Sequence, residues 1–306
     1  MTLESLVPLL AATVQSGTPI LYATLGEILT ERSGTLNLGV EGMMMVGALA
    51  AFLTGEATGQ PFLGFLAGGL LGGLLAGVHG LICLGFQGNQ VVSGLALTIL
   101  GTGLANYLGT PYDGQSIQGF QALPVPLLSQ VPVLGPMLFK QDPLVYLSYA
   151  MPLLLWITLR FTRWGLALRA VGEYPEAALA AGISIVATRW VGILAGGCLV
   201  GFGGAYLSLA YTHLWTTGLS AGRGWIAVAL VIFAFWRPWR AMAGAYLFGG
   251  VMAFQFRLQA AGTHLPSSLL MMLPYGLTIA VLVLSSWKGR GIEAPAFLGV
   301  NLEPRD

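Results

Sequence analysis

The chain has 306 residues, of which 56% are hydrophobic and 8% charged, and its mean hydropathy is +0.78. Soluble domains carry about a quarter of their residues as charged side chains, so this composition excludes a soluble globular protein and defines a polytopic membrane protein. The formal net charge of +1 supplies no basic surface for a nucleic-acid partner.

Taken in chain order, apolar segments of about 20 residues mark the expected spans. The N-terminal MTLESLVPLL lacks a basic leader region, which predicts a first span retained in the membrane over Ser5 to Leu25. Pro8, Gly17 and Pro19 predict that it is bent or broken. A second span is expected from Gly34 to Thr54, and a third from Pro61 to Phe86, with Gly69, Gly73 and Gly77 at the spacing of a packing stripe. The fourth, Asn89 to Gly109, repeats that device with Gly101 and Ala105. Residues 110–141 carry Pro111, Pro124, Pro126, Pro132 and Pro136, which argue for an external loop and against a span.

The fifth span is expected over Pro143 to Leu159 and the sixth over Trp190 to Tyr211. The seventh, Gly224 to Trp236, is short enough to be a half-helix. The eighth is placed over Ala241 to Phe256, and the ninth, containing Pro274, over Ser267 to Trp287. The expectation is an all-α chain of about nine membrane helices, within a range of about eight to ten. The basic residues Arg32, Arg160, Arg163, Arg169, Arg189, Arg237, Arg240, Lys288 and Arg290 then fall on one side, expected to be cytoplasmic, with the N-terminus outside. Cys83 and Cys198 both lie inside apolar runs and read as small buried hydrophobes.

Two stretches depart from the apolar background. The first, GEILTERSGTLNLGVEGMMMVG from Gly26 to Gly47, places Glu27, Glu31 and Arg32 ahead of an apolar run containing Asn37 and Glu41. If that run is helical, Asn37 and Glu41 share a face. Polar groups at membrane depth face protein or a water-filled path. The second lies in the 160–189 loop, where Pro175 suits a first helical turn, Glu176 its positive end and Gly182 its termination. A small alanine-faced helix there makes a shallow ridge for a partner, or a simple connector.

These stretches, together with GRGWIAVAL and MMLPYGLTIAVLVL, make the chain resemble the permease subunits of ABC importers of the ribose, simple-sugar and branched-chain amino acid type. It is most similar to the second permease of nucleoside and simple-sugar uptake systems. The resemblance implies a single permease domain over residues 1–306 with a type II importer fold in the cell (inner) membrane. It also implies an ATP-binding partner, a second related permease and an extracytoplasmic binding lipoprotein that delivers a small-molecule substrate. The family's docking helix maps onto Gly172, Glu173, Pro175, Ala177, Ala178, Ala181 and Gly182, with Tyr174 where the family usually has Asn. In GRGWIAVALVIFAFWRPWRAM, Phe235, Trp236 and Trp239 are bulkier than the family pattern.

No GxxxxGK[ST] loop occurs in the sequence, so ATP hydrolysis belongs to a partner and the chain is expected to be a transport subunit without cofactor or metal. Asn37, Glu41, Met44, Asn89 and Ser93 are the candidates for a polar translocation path. Structural readings stand beside them: Glu41 bonded to a neighbouring helix end, Asn89 and Ser93 capping a helix, the methionines filling core. His79 is expected to be a packing histidine, while His213 and His264 fall near outer loops. A proton-coupled secondary transporter using Glu41 and His79 is the rival, weakened by the absence of a visible inverted repeat.

Overall fold

A computed structural model describes residues 3–262, 266–287 and 294–301; His264, Lys288 and Arg290 lie outside them. Among the described residues six helices are long and apolar enough to cross a membrane. They belong to α1 (Leu3–Arg32), α2 (Val40–Thr58), α3 (Pro61–Gly80), α4 (Gln90–Gly109), α6 (Pro143–Phe161) and α9 (Ile185–Tyr206), where α5 is the short Leu134–Leu138 turn. π-helical turns extend α3 over Leu81–Gly85 and α9 over Leu207–Tyr211. The seventh to ninth expected spans correspond to α10 (Arg223–Ala234), α11 (Pro238–Ala260) and α12–α13 (Ser267–Met271, Leu273–Trp287). The chain is a polytopic helical membrane protein.

Helix α9 lies against α1, α2 and α3, and the glycines explain how closely. A Cβ on Gly72 would stand 2.6 Å from Gly201 Cα, and one on Gly47 of α2 would stand 2.6 Å from the Gly201 carbonyl oxygen. Backbones meet there because no side chain intervenes, which is how helices associate where lipid supplies no hydrophobic drive. Gly69, Gly73 and Gly77 sit against Phe202, Cys198 and Leu194 of α9.

Three expectations change. The first helix does not end at Leu25 but continues through Pro8 and Pro19 to Arg32, because the segment after Leu25 packs fully buried against α9 and α11. Glu27, Glu31 and Arg32 therefore belong to α1. Gly34, at φ +88, ends it.

Asn37 is not helical, so it shares no helix face with Glu41. Its Oδ1 accepts the Gly39 N–H at 2.9 Å, an Asx turn that competes with helix, and α2 begins only at Val40. Nor does Arg189 belong to the loop. It lies within α9, fully buried, where its guanidinium donates to the Val300 carbonyl at 3.1 Å.

Residues 110–141 hold turns, α5 and a two-residue ribbon (β1 Leu123–Pro124, β2 Lys140–Gln141), with no span. They bind to the end of α9 through Ile117 N–H to His213 O and Phe120 N–H to Leu209 O, at 2.9 and 2.8 Å. At their exit Asp142 caps α6, accepting the Leu144 and Val145 N–H groups. Burial raises its carboxyl above the usual range while those donors oppose the rise.

Candidate translocation site and docking surface

The segment 34–39 re-enters the protein. Leu36 N–H donates at 2.8 Å to Oε1 of Gln90, the first residue of α4, whereas the Leu38 carbonyl accepts from Thr98 Oγ1 at 2.8 Å. Thr98 lies about 12 Å further along the helix axis. The start of α2, and Glu41 with it, is therefore near the middle of α4 and so at membrane depth.

Glu41 is buried and closes the N-terminus of α10. Its Oε1 accepts Ser220 Oγ–H at 2.6 Å and Gly222 N–H at 2.8 Å, and its Oε2 accepts Gly224 N–H at 2.6 Å. Donors left free at a helix start, and the positive end of its dipole, meet a carboxylate from another helix. The approach requires glycines: Gly222 has φ +79, and a Cβ on Gly224 would stand 2.5 Å from Glu41 Cα. Helix α10, 12 residues and about 18 Å long, starts at this depth and ends at Phe235 and Trp236, beside Arg32. That depth accounts for its half-length. Arg223, also buried, lies 5.4 Å over the Tyr211 ring and donates through Nη1 to the Ser220 carbonyl at 3.1 Å.

The other expected path residues are held locally. Asn37 and Met44 are buried, with Asn37 N–H donating to Glu27 Oε1 at 3.2 Å. Asn89 is exposed and accepts the Val92 N–H at 3.0 Å as the cap of α4. Buried Ser93 pairs with His79 Nδ1 at 3.0 Å, and His79 Nε2 reaches the Leu36 carbonyl at 3.0 Å. Both ring nitrogens are thus occupied by one neutral tautomer that donates to Leu36. Among the described residues no group of three His, Cys, Asp or Glu is gathered to hold a metal.

On the end of the molecule that carries Arg32, Arg160 and Arg169, α7 (Arg163–Glu173) and α8 (Pro175–Ala180) form an elbow at Tyr174. Pro175 opens α8, and Gly182 follows it at φ +79. Ala177, Ala181 and Gly182 are exposed, while Pro175 and Ala178 are buried. Gly172 is buried against the Arg32 carbonyl, and exposed Glu173 lies 3.6 Å from Arg32 Nη1.

Segment 294–301 straps this region, and nothing in its sequence pattern announces that. Phe297 N–H donates to the Gly172 carbonyl at 3.0 Å, Gly299 N–H to Gly34 at 3.2 Å, and Asn301 Nδ2 to Gln87 at 2.8 Å. With α8 and the end of α3 it encloses a groove of about 880 Å³ that includes Leu84, Leu179, Ile183, Phe297 and Val300.

Residues 9–282 match the family described as branched-chain amino acid transport system / permease component. The chain belongs to that family. It is 45% identical, over 82% of its length and 78% of the other's, to a Haloferax volcanii protein provisionally named a glucose ABC transporter permease. It is 35% identical to a nucleoside ABC transporter permease of Lactococcus lactis, over 93% of both chains. Its identity to a guanosine ABC transporter permease of Bacillus subtilis is 31%, over 94% of both. The chain is a multi-pass permease subunit of an ABC transporter and a transport component, not an enzyme.

Proposed function

We propose that the chain works in an importer for a neutral nucleoside or simple sugar, in the cell (inner) membrane. The observation that carries this reading is the near full-length similarity to a nucleoside permease and a guanosine permease. The charge at membrane depth supports it. Glu41 already fills the positive end of α10, and the buried Arg223 in the first turn of that helix brings an opposite charge to the same region. An anionic substrate gains little from such a balanced site, whereas hydroxyl and amide groups pair with it readily.

The elbow of α7 and α8 is the docking surface for a separate ATP-binding subunit, through Gly172, Glu173, Pro175, Ala177, Ala178, Ala181 and Gly182. Small exposed side chains let another protein approach the ridge closely. A second, related permease completes the membrane unit, and a binding lipoprotein delivers the substrate. Asn37, Glu41, Met44, Asn89 and Ser93 border the translocation path; of these Asn37, Glu41 and Ser93, the last through His79, also set where the 34–39 segment and the start of α10 stand, and movement of α8 reaches them through Gly172 and the Arg32 turn.

The test is purification of the chain from its native membrane, mass spectrometry of what accompanies it, and uptake by vesicles of that complex. The expected result is an ATP-binding subunit, a related permease and a lipoprotein, with nucleoside or sugar uptake that needs ATP. A chain recovered alone and driven by a proton gradient overturns the reading.

A further inference from the structure

Guanidinium groups from four separate stretches of the chain line one cleft of about 770 Å³. Arg32 ends α1, Arg160 stands in the last turn of α6, Arg169 lies on α7, and Arg237 and Arg240 flank the start of α11. Among the described residues no carboxylate lines the cleft. The nearby acids are Glu173, 3.6 Å from Arg32 at the rim, and Glu31, which accepts the Trp236 indole N–H at 2.5 Å from behind the wall. Arg32 is matched by Glu173 and Arg237 has a partner of its own, whereas Arg160, Arg169 and Arg240 add like charges around one opening, a surplus that an anion offsets.

The wall is built to hold this arrangement. Phe235 and Trp236 both stand at φ +53, a region that residues with a side chain rarely adopt. Glu31 anchors the Trp236 ring, Arg32 Nη2 reaches the Trp236 carbonyl at 3.5 Å, and Arg240 lies 5.0 Å over the Phe235 ring. The bulky FWRPW stretch thereby turns α10 sharply into α11 and brings Arg237 and Arg240 into the cleft that Arg160 also lines.

The surroundings indicate which anion. Trp156 and Trp239, both lining the cleft, are 38% and 46% exposed, and Leu153, Leu154 and Ile157 on the adjoining face of α6 are exposed as well. Exposed aliphatic side chains on a membrane helix meet hydrocarbon, and tryptophans mark the depth of the headgroups. A guanidinium fork matches a phosphate bidentately, and basic pockets between membrane helices hold lipid headgroups. We propose that this cleft binds the phosphodiester headgroup of an anionic phospholipid from the adjoining leaflet.

The experiment takes the intact protein, purified in mild detergent with the subunits that accompany it, in an equal mixture of phosphatidylglycerol and phosphatidylcholine, and reads retained lipid by native mass spectrometry. The wild type is expected to retain phosphatidylglycerol in preference. Arg160→Gln with Arg240→Gln is expected to cut that preference roughly thirtyfold. Arg163→Gln, an exposed arginine outside the cleft wall, keeps it. If the double variant does not accumulate, Arg160→Gln alone is expected to lower it about fivefold. Equal retention of the two lipids, or a preference that survives these substitutions or falls as far with Arg163→Gln, overturns the proposal. Displacement of phosphatidylglycerol by excess inorganic phosphate also overturns it, in favour of a soluble anion.

Discussion

Glu41 on α2 accepts the Gly224 backbone N–H at 2.6 Å and so closes, from another helix, the N-terminus of α10. The same carboxylate takes Ser220 and Gly222, which ties the re-entrant start of α2 to the start of a half-helix at one depth. A shift of either element breaks charge-assisted bonds in a region where water does not replace them.

Glu41→Ala leaves those donors without an acceptor. The expected cost is about 3 kcal/mol, with Glu41→Gln costing less because one acceptor oxygen remains. Thermal unfolding of the purified protein checks this, and uptake is expected to fall in the same order. An alanine variant that melts with the wild type would show that α10 is held by packing alone.

Trp236 and Glu31 form a second buried anchor. Trp236→Phe removes the donor and strands a carboxyl group, at about 2 kcal/mol. In combination with Glu31→Gln the loss is expected to be less than additive, with about 1 kcal/mol or more of coupling in a double-mutant cycle. Additive losses would mean the pair does not interact.

On the elbow proposed for docking the two alanines are expected to behave differently, because Ala177 is exposed and Ala178 is 3% exposed. Ala177→Trp is expected to leave melting unchanged and to reduce recovery of the ATP-binding subunit at least about tenfold, the equivalent of about 1.4 kcal/mol. Ala178→Trp is expected to destabilise the elbow itself by about 1–3 kcal/mol. Full recovery of the partner with Ala177→Trp would exclude this surface as its seat.

Glycine contacts discriminate between packing and open positions. Gly201→Val forces side-chain atoms into α3, since a Cβ there already overlaps Gly68, and the protein is expected not to accumulate. Gly103→Ala meets nothing within 4 Å and is expected to be neutral or to stabilise α4 by about 0.5 kcal/mol. Normal yield of the valine variant would contradict the close approach of α3 and α9.

With both nitrogens of His79 bonded to Ser93 and Leu36, a proton taken up at Nδ1 would displace the buried Ser93 hydroxyl donor. Uptake by the complete complex supplied with ATP is therefore expected to persist when an ionophore collapses the proton gradient. Loss of uptake under the ionophore, with ATP undiminished, would restore the proton-coupled rival.

Composition and span-length apolar runs were enough to place this chain in a membrane as a helical bundle, because hydrocarbon leaves the backbone no other way to satisfy its polar groups. Local chemistry likewise marked α8, through Pro175 and Gly182, and the packing stripes of α3 and α4. What periodicity could not convey was depth and partnership. That Asn37 would leave the helix was settled by one side-chain bond to Gly39. That Glu41 would cap α10 was settled by the chain returning Ser220, 179 positions later, to it. The burial of Arg189 and the five-arginine cleft also join distant segments. An apolar pattern specifies that a residue is inside, whereas its partner depends on which helices become neighbours, and only the assembled tertiary structure decides that.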